Sequence, residues 1–126
     1  MTQHRFILLD DNQIDLMVST RLLQSWFVNA EVTSFNNTID ALEFFSKNKN
    51  NLSVLPTVVL LDLIMPRLDG FQVVDELERI LINIPFKIFL LSSTINDADF
   101  DKAKENRWVQ TILSKPLEVD VLSGLI

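Results

Sequence analysis

Short apolar runs alternate along the chain with segments whose apolar residues recur every three or four positions. Residues 5–9 (RFILL) read as a first strand, closed by Asp10 and Asp11. Asp11 or Asn12 can cap a helix whose apolar face is Ile14, Val18 and Leu22, supported by Met17 and Trp26. AEVTSF (30–35) is a second strand, and Asn37 or Thr38 caps a helix with Ile39, Leu42 and Phe45 on one face. After the polar SKNKNN comes a third strand at 57–61. Phe71, Val74, Leu77 and Leu81 then mark a third helix that stops before Pro85. FKIFLL (86–91) is a fourth strand, ending at Ser92 and Ser93. Residues 97–106 form a polar fourth helix with Phe100 and Ala103 as its best core positions. VQTIL (109–113) is a fifth strand, followed by Ser114, Lys115 and Pro116, and LEVDVLSGLI makes a short final helix.

Five strands alternating with five helices predict an α/β fold, a parallel sheet covered on both faces with right-handed crossovers. At 126 residues and 48% hydrophobic, with no repeat or linker, the chain reads as one domain over 1–126. Ligands of such sheets bind beyond the carboxyl ends of the strands, at the point where strand order reverses.

Composition narrows the functions available. Eleven basic against seventeen acidic residues give a net charge of -6, with no basic cluster. That balance argues against nucleic acid, which needs a clustered positive footprint. It suits a divalent cation or a basic partner surface. The absence of cysteine removes disulfides and thiolate metal sites. The N-terminal apolar run is too short and too acidic for a signal peptide, and no stretch approaches the ~20 apolar residues of a membrane span. The expectation is a soluble, cytoplasmic protein with no membrane association.

The predicted strand ends carry the chemistry. Strand one delivers Asp10 and Asp11, strand three Asp62, strand four Ser92 and strand five Lys115. If strands one and three are neighbours, roughly 4.8 Å apart, three carboxylates crowd one pocket and raise each other's pKa. A hard cation such as Mg2+, or another divalent ion, relieves that repulsion through oxygen ligands. Asp is a known covalent nucleophile through aspartyl phosphate, and phosphoryl transfer demands mainly positioning and charge neutralisation. The set reads as Mg2+-assisted phosphorylation of one Asp. Taken singly, the acid pair is a loop start and helix cap, Ser92 a common strand-end residue and Lys115 a surface charge; their ordered occurrence is what carries weight. Asp69 reads as a cap for the third helix.

The stretches FILLDD, VVLLDLIMPRLDG, IFLLSS and ILSKPL, in that order, resemble the response-regulator receiver domain of two-component signalling over essentially the whole chain. The resemblance implies a flavodoxin-like doubly wound sheet of order 2-1-3-4-5. It makes Asp62 the phosphoacceptor and Asp11 a direct Mg2+ ligand, aided by Asp10, with Asp62 and the Ile64 backbone carbonyl completing the protein ligands. Ser92 would bond a phosphoryl oxygen and Lys115 would ion-pair with it. The Lys115–Pro116 peptide is the candidate for a cis bond. The implied partners are a sensor histidine kinase or a histidine phosphotransfer protein as donor and an unidentified protein as target. The implied state is a monomer or weak dimer. The resemblance is to a stand-alone receiver with no effector domain, catalysing only its own phosphorylation and dephosphorylation.

Two departures from the family pattern stand out. Many receivers place Tyr or Phe three residues before the strand-five lysine; Ile112 stands here, so an aromatic rotamer switch at that position is unavailable. Two residues after Asp62, Ile64 cannot orient a hydrolytic water, which predicts slow autodephosphorylation. The rival readings are a degenerate receiver acting as a constitutive interaction module, a haloacid-dehalogenase-type phosphohydrolase and an FMN-binding flavodoxin. The intact set of site residues argues against the first. The second wants an Asp where Ile64 stands, and the acidic DDNQID would repel the phosphate of the third.

Overall fold

A computed structural model of the chain describes residues 3–126. The strands are β1 (Arg5–Leu9), β2 (Glu31–Phe35), β3 (Val58–Asp62), β4 (Lys87–Ser92) and β5 (Val109–Ser114). Between and after them run α1 (Gln13–Trp26), α2 (Thr38–Lys47), α3 (Gly70–Ile80), α4 (Asp97–Glu105) and α5 (Val119–Ser123). The strands form one parallel sheet of order β2-β1-β3-β4-β5, as expected. The third strand ends one residue later than predicted, so Asp62 itself belongs to the ladder, opposite Leu91.

Strand alternation divides the core in two. Val59 and Leu61 of β3, with Ile7, Leu9, Ile88 and Leu90, pack under α2, α3 and α4. Val58 and Leu60, with Phe6, Leu8, Phe89 and Leu91, pack under α1 and α5. Every β3 residue is buried, because β3 lies at the centre of the sheet and is covered on both sides. Edge strand β2 has no buried residue.

Caps fix where the helices begin. Asn12, not Asp11, caps α1, accepting from the Ile14 and Asp15 N–H groups. Asn37 caps α2 through the Asp40 N–H. Asp69 caps α3 in a reciprocal capping box with Gln72. Phe71, Val74, Leu77 and Leu81 are all buried, as predicted.

Three predicted faces differ. On α1 the sheet covers Leu16, Ser19 and Leu23, whereas Ile14, Met17, Val18 and Trp26 are exposed. Leu22 is only half-buried. The buried stripe carries a serine at its middle, so the more hydrophobic stripe beside it looked like the core face. On α2 Phe45 and Ala41 are buried but Ile39 is exposed. On α4 Ala103 is buried, while Phe100 stands partly out of the core at 38% exposure.

Candidate functional site

The carboxyl edge of the sheet gathers the predicted residues. Asp10 follows β1 directly and is buried, its N–H bonded to the Phe35 carbonyl and its Oδ1 accepting from the Asn12 N–H. Asp62 ends β3 at 6% exposure. Asp11, next to the α1 cap, is exposed. One carboxylate oxygen from each of Asp10, Asp11 and Asp62 lies within 4.8 Å of the others, which is the spacing three ligands of a single cation require. All the donors are hard oxygens, so the set fits a hard divalent ion.

Lys115 enters from the end of β5 and binds this cluster. Its Nζ donates to Asp10 Oδ2 at 2.7 Å and to Asp15 Oδ2 at 3.0 Å, and lies 3.4 Å from Asp62 Oδ2. The lysine side chain is 15% exposed. Its backbone is anchored by the Lys115 N–H to the Ser92 carbonyl, and the following peptide to Pro116 is cis, as expected.

The electrostatics are those of crowded acids. Burial, and then the negative charge of Asp10, push the Asp62 carboxyl up from 3.8 to about 7. The Lys115 charge and the Ile64 N–H, which donates to Asp62 Oδ1 at 3.2 Å, oppose that rise without cancelling it. For Lys115, burial works against the charge. Hydrogen bonds to Asp10 and Asp15 and the charges of Asp10 and Asp62 outweigh it, so the ammonium titrates above the usual lysine range. The pocket thus holds more negative charge than one lysine neutralises.

Ser92 is buried at the same edge, but its hydroxyl is turned away from the acids. It donates to the Thr94 carbonyl at 2.6 Å and accepts from the Thr94 N–H at 3.2 Å. Ser92 follows Ile88 and Leu90 in strand alternation, on the α3–α4 side, whereas Asp62 follows Val58 and Leu60. Ile64 is 64% exposed beside the site.

Gly70 closes the loop after β3 by close approach rather than by unusual backbone angles. Its N–H bonds the Leu63 carbonyl, and a Cβ there would stand 3.0 Å from the Asp62 carbonyl oxygen and 3.1 Å from Leu63 Cα. The left-handed residue of this loop is Arg67.

Sequence reasoning missed Asp15 and Thr94. An acid in the first turn of a helix reads as a response to the helix dipole. The available signal was its spacing of four from Asp11. Thr94 could not be found, because its part is played by backbone atoms.

An acid cluster facing a strand-end lysine, at the carboxyl edge of a 2-1-3-4-5 sheet, defines a receiver-type site. The response regulator receiver domain profile matches residues 6–126, and the chain belongs to that family. Receiver domains are signalling modules of two-component systems. Among solved structures, a response regulator receiver protein from Dyadobacter fermentans is 28% identical, with a TM-score of 0.83 over 96% of this chain and 93% of the other. A two-component response regulator from Cytophaga hutchinsonii shares the fold at 24% identity, with a TM-score of 0.87 over 98% and 95% of the two chains. A probable methanogenesis regulatory protein, FilR2, from Methanothrix harundinacea is 26% identical over 120 residues, 95% of this chain and 77% of that protein. Among the described residues no helix is long and apolar enough to cross a membrane.

Proposed function

We propose that this chain is a phosphoacceptor receiver over residues 1–126, taking a phosphoryl group on Asp62 from phosphohistidine of a sensor histidine kinase or a histidine phosphotransfer protein. The observation that carries the reading is the position of Asp62. A fully buried central strand holds its carboxylate at the sheet edge, within 4.8 Å of Asp10 and Asp11 oxygens and 3.4 Å from the Lys115 ammonium.

In the transfer, a carboxylate oxygen of Asp62 forms a bond to phosphorus as the P–N bond of phosphohistidine breaks, and the imidazole nitrogen keeps the electron pair. The Ile64 N–H fixes the plane of the Asp62 carboxylate, and Lys115 neutralises charge on the incoming oxygens. Mg2+ or another divalent ion, held by Asp10, Asp11, Asp62 and the Ile64 carbonyl, supplies further charge neutralisation when bound.

The switch starts at Ser92. To bond a phosphoryl oxygen its hydroxyl must leave Thr94, which frees the segment leading into α4. Only Ala103 of α4 is buried, so little packing opposes the shift. Ile112, buried on β5, takes no aromatic part in it. The exposed apolar residues Ile14, Met17 and Val18 lie on α1, the helix that carries Asp15 to Lys115, and offer the donor protein a hydrophobic footing. Phosphorylation then biases binding to a downstream protein.

The test is intact mass after incubation with Mg2+ and a small phosphodonor, with Asp62→Asn as control. The native chain gains one phosphoryl group and the variant none. No adduct on the native chain, or an equal adduct on the variant, sinks the assignment. Turnover of a small phosphate ester would instead favour a phosphohydrolase.

A further inference from the structure

Asp15 is the one carboxylate of the pocket that the phosphoacceptor reading leaves without a role. It projects from the first turn of α1, is 40% exposed, and accepts from Lys115 Nζ at 3.0 Å. A lysine has three N–H donors. In this structure Asp10 and Asp15 take two of them, and Asp62 stands at 3.4 Å, beyond the other two partners.

We infer that Asp15 is a positioning residue that acts through Lys115, drawing part of the ammonium's hydrogen bonding away from Asp62 and competing with the incoming phosphoryl group for it. This rests on Asp62 being the phosphoacceptor. Asp15 is not needed to hold the lysine in place. The bond to Asp10 is the shorter, Asp10 is the more buried partner, and the Lys115 backbone is tied to Ser92. What Asp15 adds is a second claim on the ammonium and a negative charge at the solvent-facing side of the pocket. Both oppose a phosphoryl group arriving on Asp62, because its oxygens must win Lys115 from Asp15 and approach a like charge as they do so.

Its position also discriminates among donors. A free anionic phosphodonor approaching Asp62 meets the charge of the partly exposed Asp15 carboxylate, and its repulsion grows with the donor's charge. A phosphohistidine presented on a docked protein is carried past that barrier by the docking contacts, so Asp15 tilts the site against small anionic donors.

The experiment compares the native chain with Asp15→Asn and Asp15→Glu, using the full chain and Mg2+. Phosphorylation rates are followed by intact mass with doubly negative acetyl phosphate and with phosphoramidate, which carries less charge. Asp15→Asn keeps the side-chain shape and removes the charge. It is expected to speed phosphorylation by acetyl phosphate about tenfold and by phosphoramidate less, and to lengthen the phosphorylated lifetime about threefold. Asp15→Glu should stay near the native rates. In metal-free protein, proton exchange of the Lys115 ammonium, read by nitrogen-15 NMR, should be several-fold faster in Asp15→Asn. Loss of a dipole-stabilising acid from α1 would lower thermal stability without changing the ratio of the two donor rates.

Asp15→Asn rates within twofold of native for both donors, with unchanged lysine exchange, overturn the inference and leave the phosphoacceptor reading intact. A native chain that takes no phosphoryl group from either donor overturns both.

Discussion

Replacing Asp62 with Asn should stabilise the metal-free protein, although Asp62 lies at the centre of the proposed chemistry. Its carboxyl is raised from 3.8 to about 7 by burial and by Asp10. A raised acid favours the folded state while it is protonated. That contribution is complete below 3.8 and disappears as pH climbs through about 7. At pH 8 the ionised carboxylate therefore works against folding. The gap corresponds to at most about 4 kcal/mol, at about 1.4 kcal/mol per tenfold. Solvent entering past exposed Asp11 reduces the expected effect to about 2 kcal/mol. The amide that replaces the carboxylate can still accept from the Ile64 N–H and donate to Asp10, as the protonated acid does. For a chain of this length 1 kcal/mol moves Tm by about 4 °C, so the variant should melt about 8 °C higher at pH 8. At pH 5, where native Asp62 is largely protonated, the difference should fall below about 3 °C. The assay is thermal unfolding by circular dichroism in a chelator at both pH values. Adding Mg2+ at pH 8 should raise the native Tm more than the variant's, because the ion relieves a repulsion that the variant lacks. A variant no more stable than the native chain at pH 8, or a difference that does not change between pH 5 and 8, refutes the reasoning.

Gly70→Ala should destabilise the fold by about 2 kcal/mol in denaturant titration, because two of its three closest contacts are backbone atoms of β3 and the residue after it. A loss under about 0.5 kcal/mol would mean the loop after β3 relaxes freely. Ile64→Asn, at an exposed position, should leave stability within about 0.5 kcal/mol yet shorten the phosphorylated lifetime. The decay of the phosphorylated mass measures it, and an unchanged rate removes Ile64 from the account of dephosphorylation. Helix α4 buries Ala103 alone, whereas α3 buries five residues, so α4 amides should exchange about tenfold faster or more. Equal protection of the two helices counts against α4 as the moving element.

The sheet and its acidic edge were legible because they rest on strong local signals. β3 and β4 are built on the apolar runs VVLL and IFLL, which have few alternatives to a buried parallel strand, and a charge at the end of such a run has to lie at the sheet edge. The order of the strands and the role of the set came from motif order rather than from periodicity. What stayed hidden depends on geometry that a one-dimensional pattern does not encode. The Ser92 hydroxyl could have faced Asp62 or Thr94, and a rotamer decides between them. Asp15 had one visible role, at a helix start, and its partner lies 100 residues away in the chain.

The error on α1 has a different origin. Periodicity reports that a helix face is apolar; it does not report what covers that face. Two stripes on α1 satisfy the helical period, and the sheet takes the one built on Leu16, Ser19 and Leu23. Of the stripe assigned to the core, Ile14, Val18 and Leu22 with Met17 and Trp26, only Leu22 is half-buried; the others face outward on the helix that also carries Asp15 to Lys115. A cover for the sheet needs only the first stripe. On the proposed reading, a donor protein docking on α1 would meet the apolar stripe and Asp15 together. Polar substitutions at Ile14 and Val18 should therefore slow transfer from a phosphohistidine protein while leaving phosphorylation by acetyl phosphate at the native rate. Equal slowing with both donors would place the effect in the fold of α1 and remove docking from the explanation.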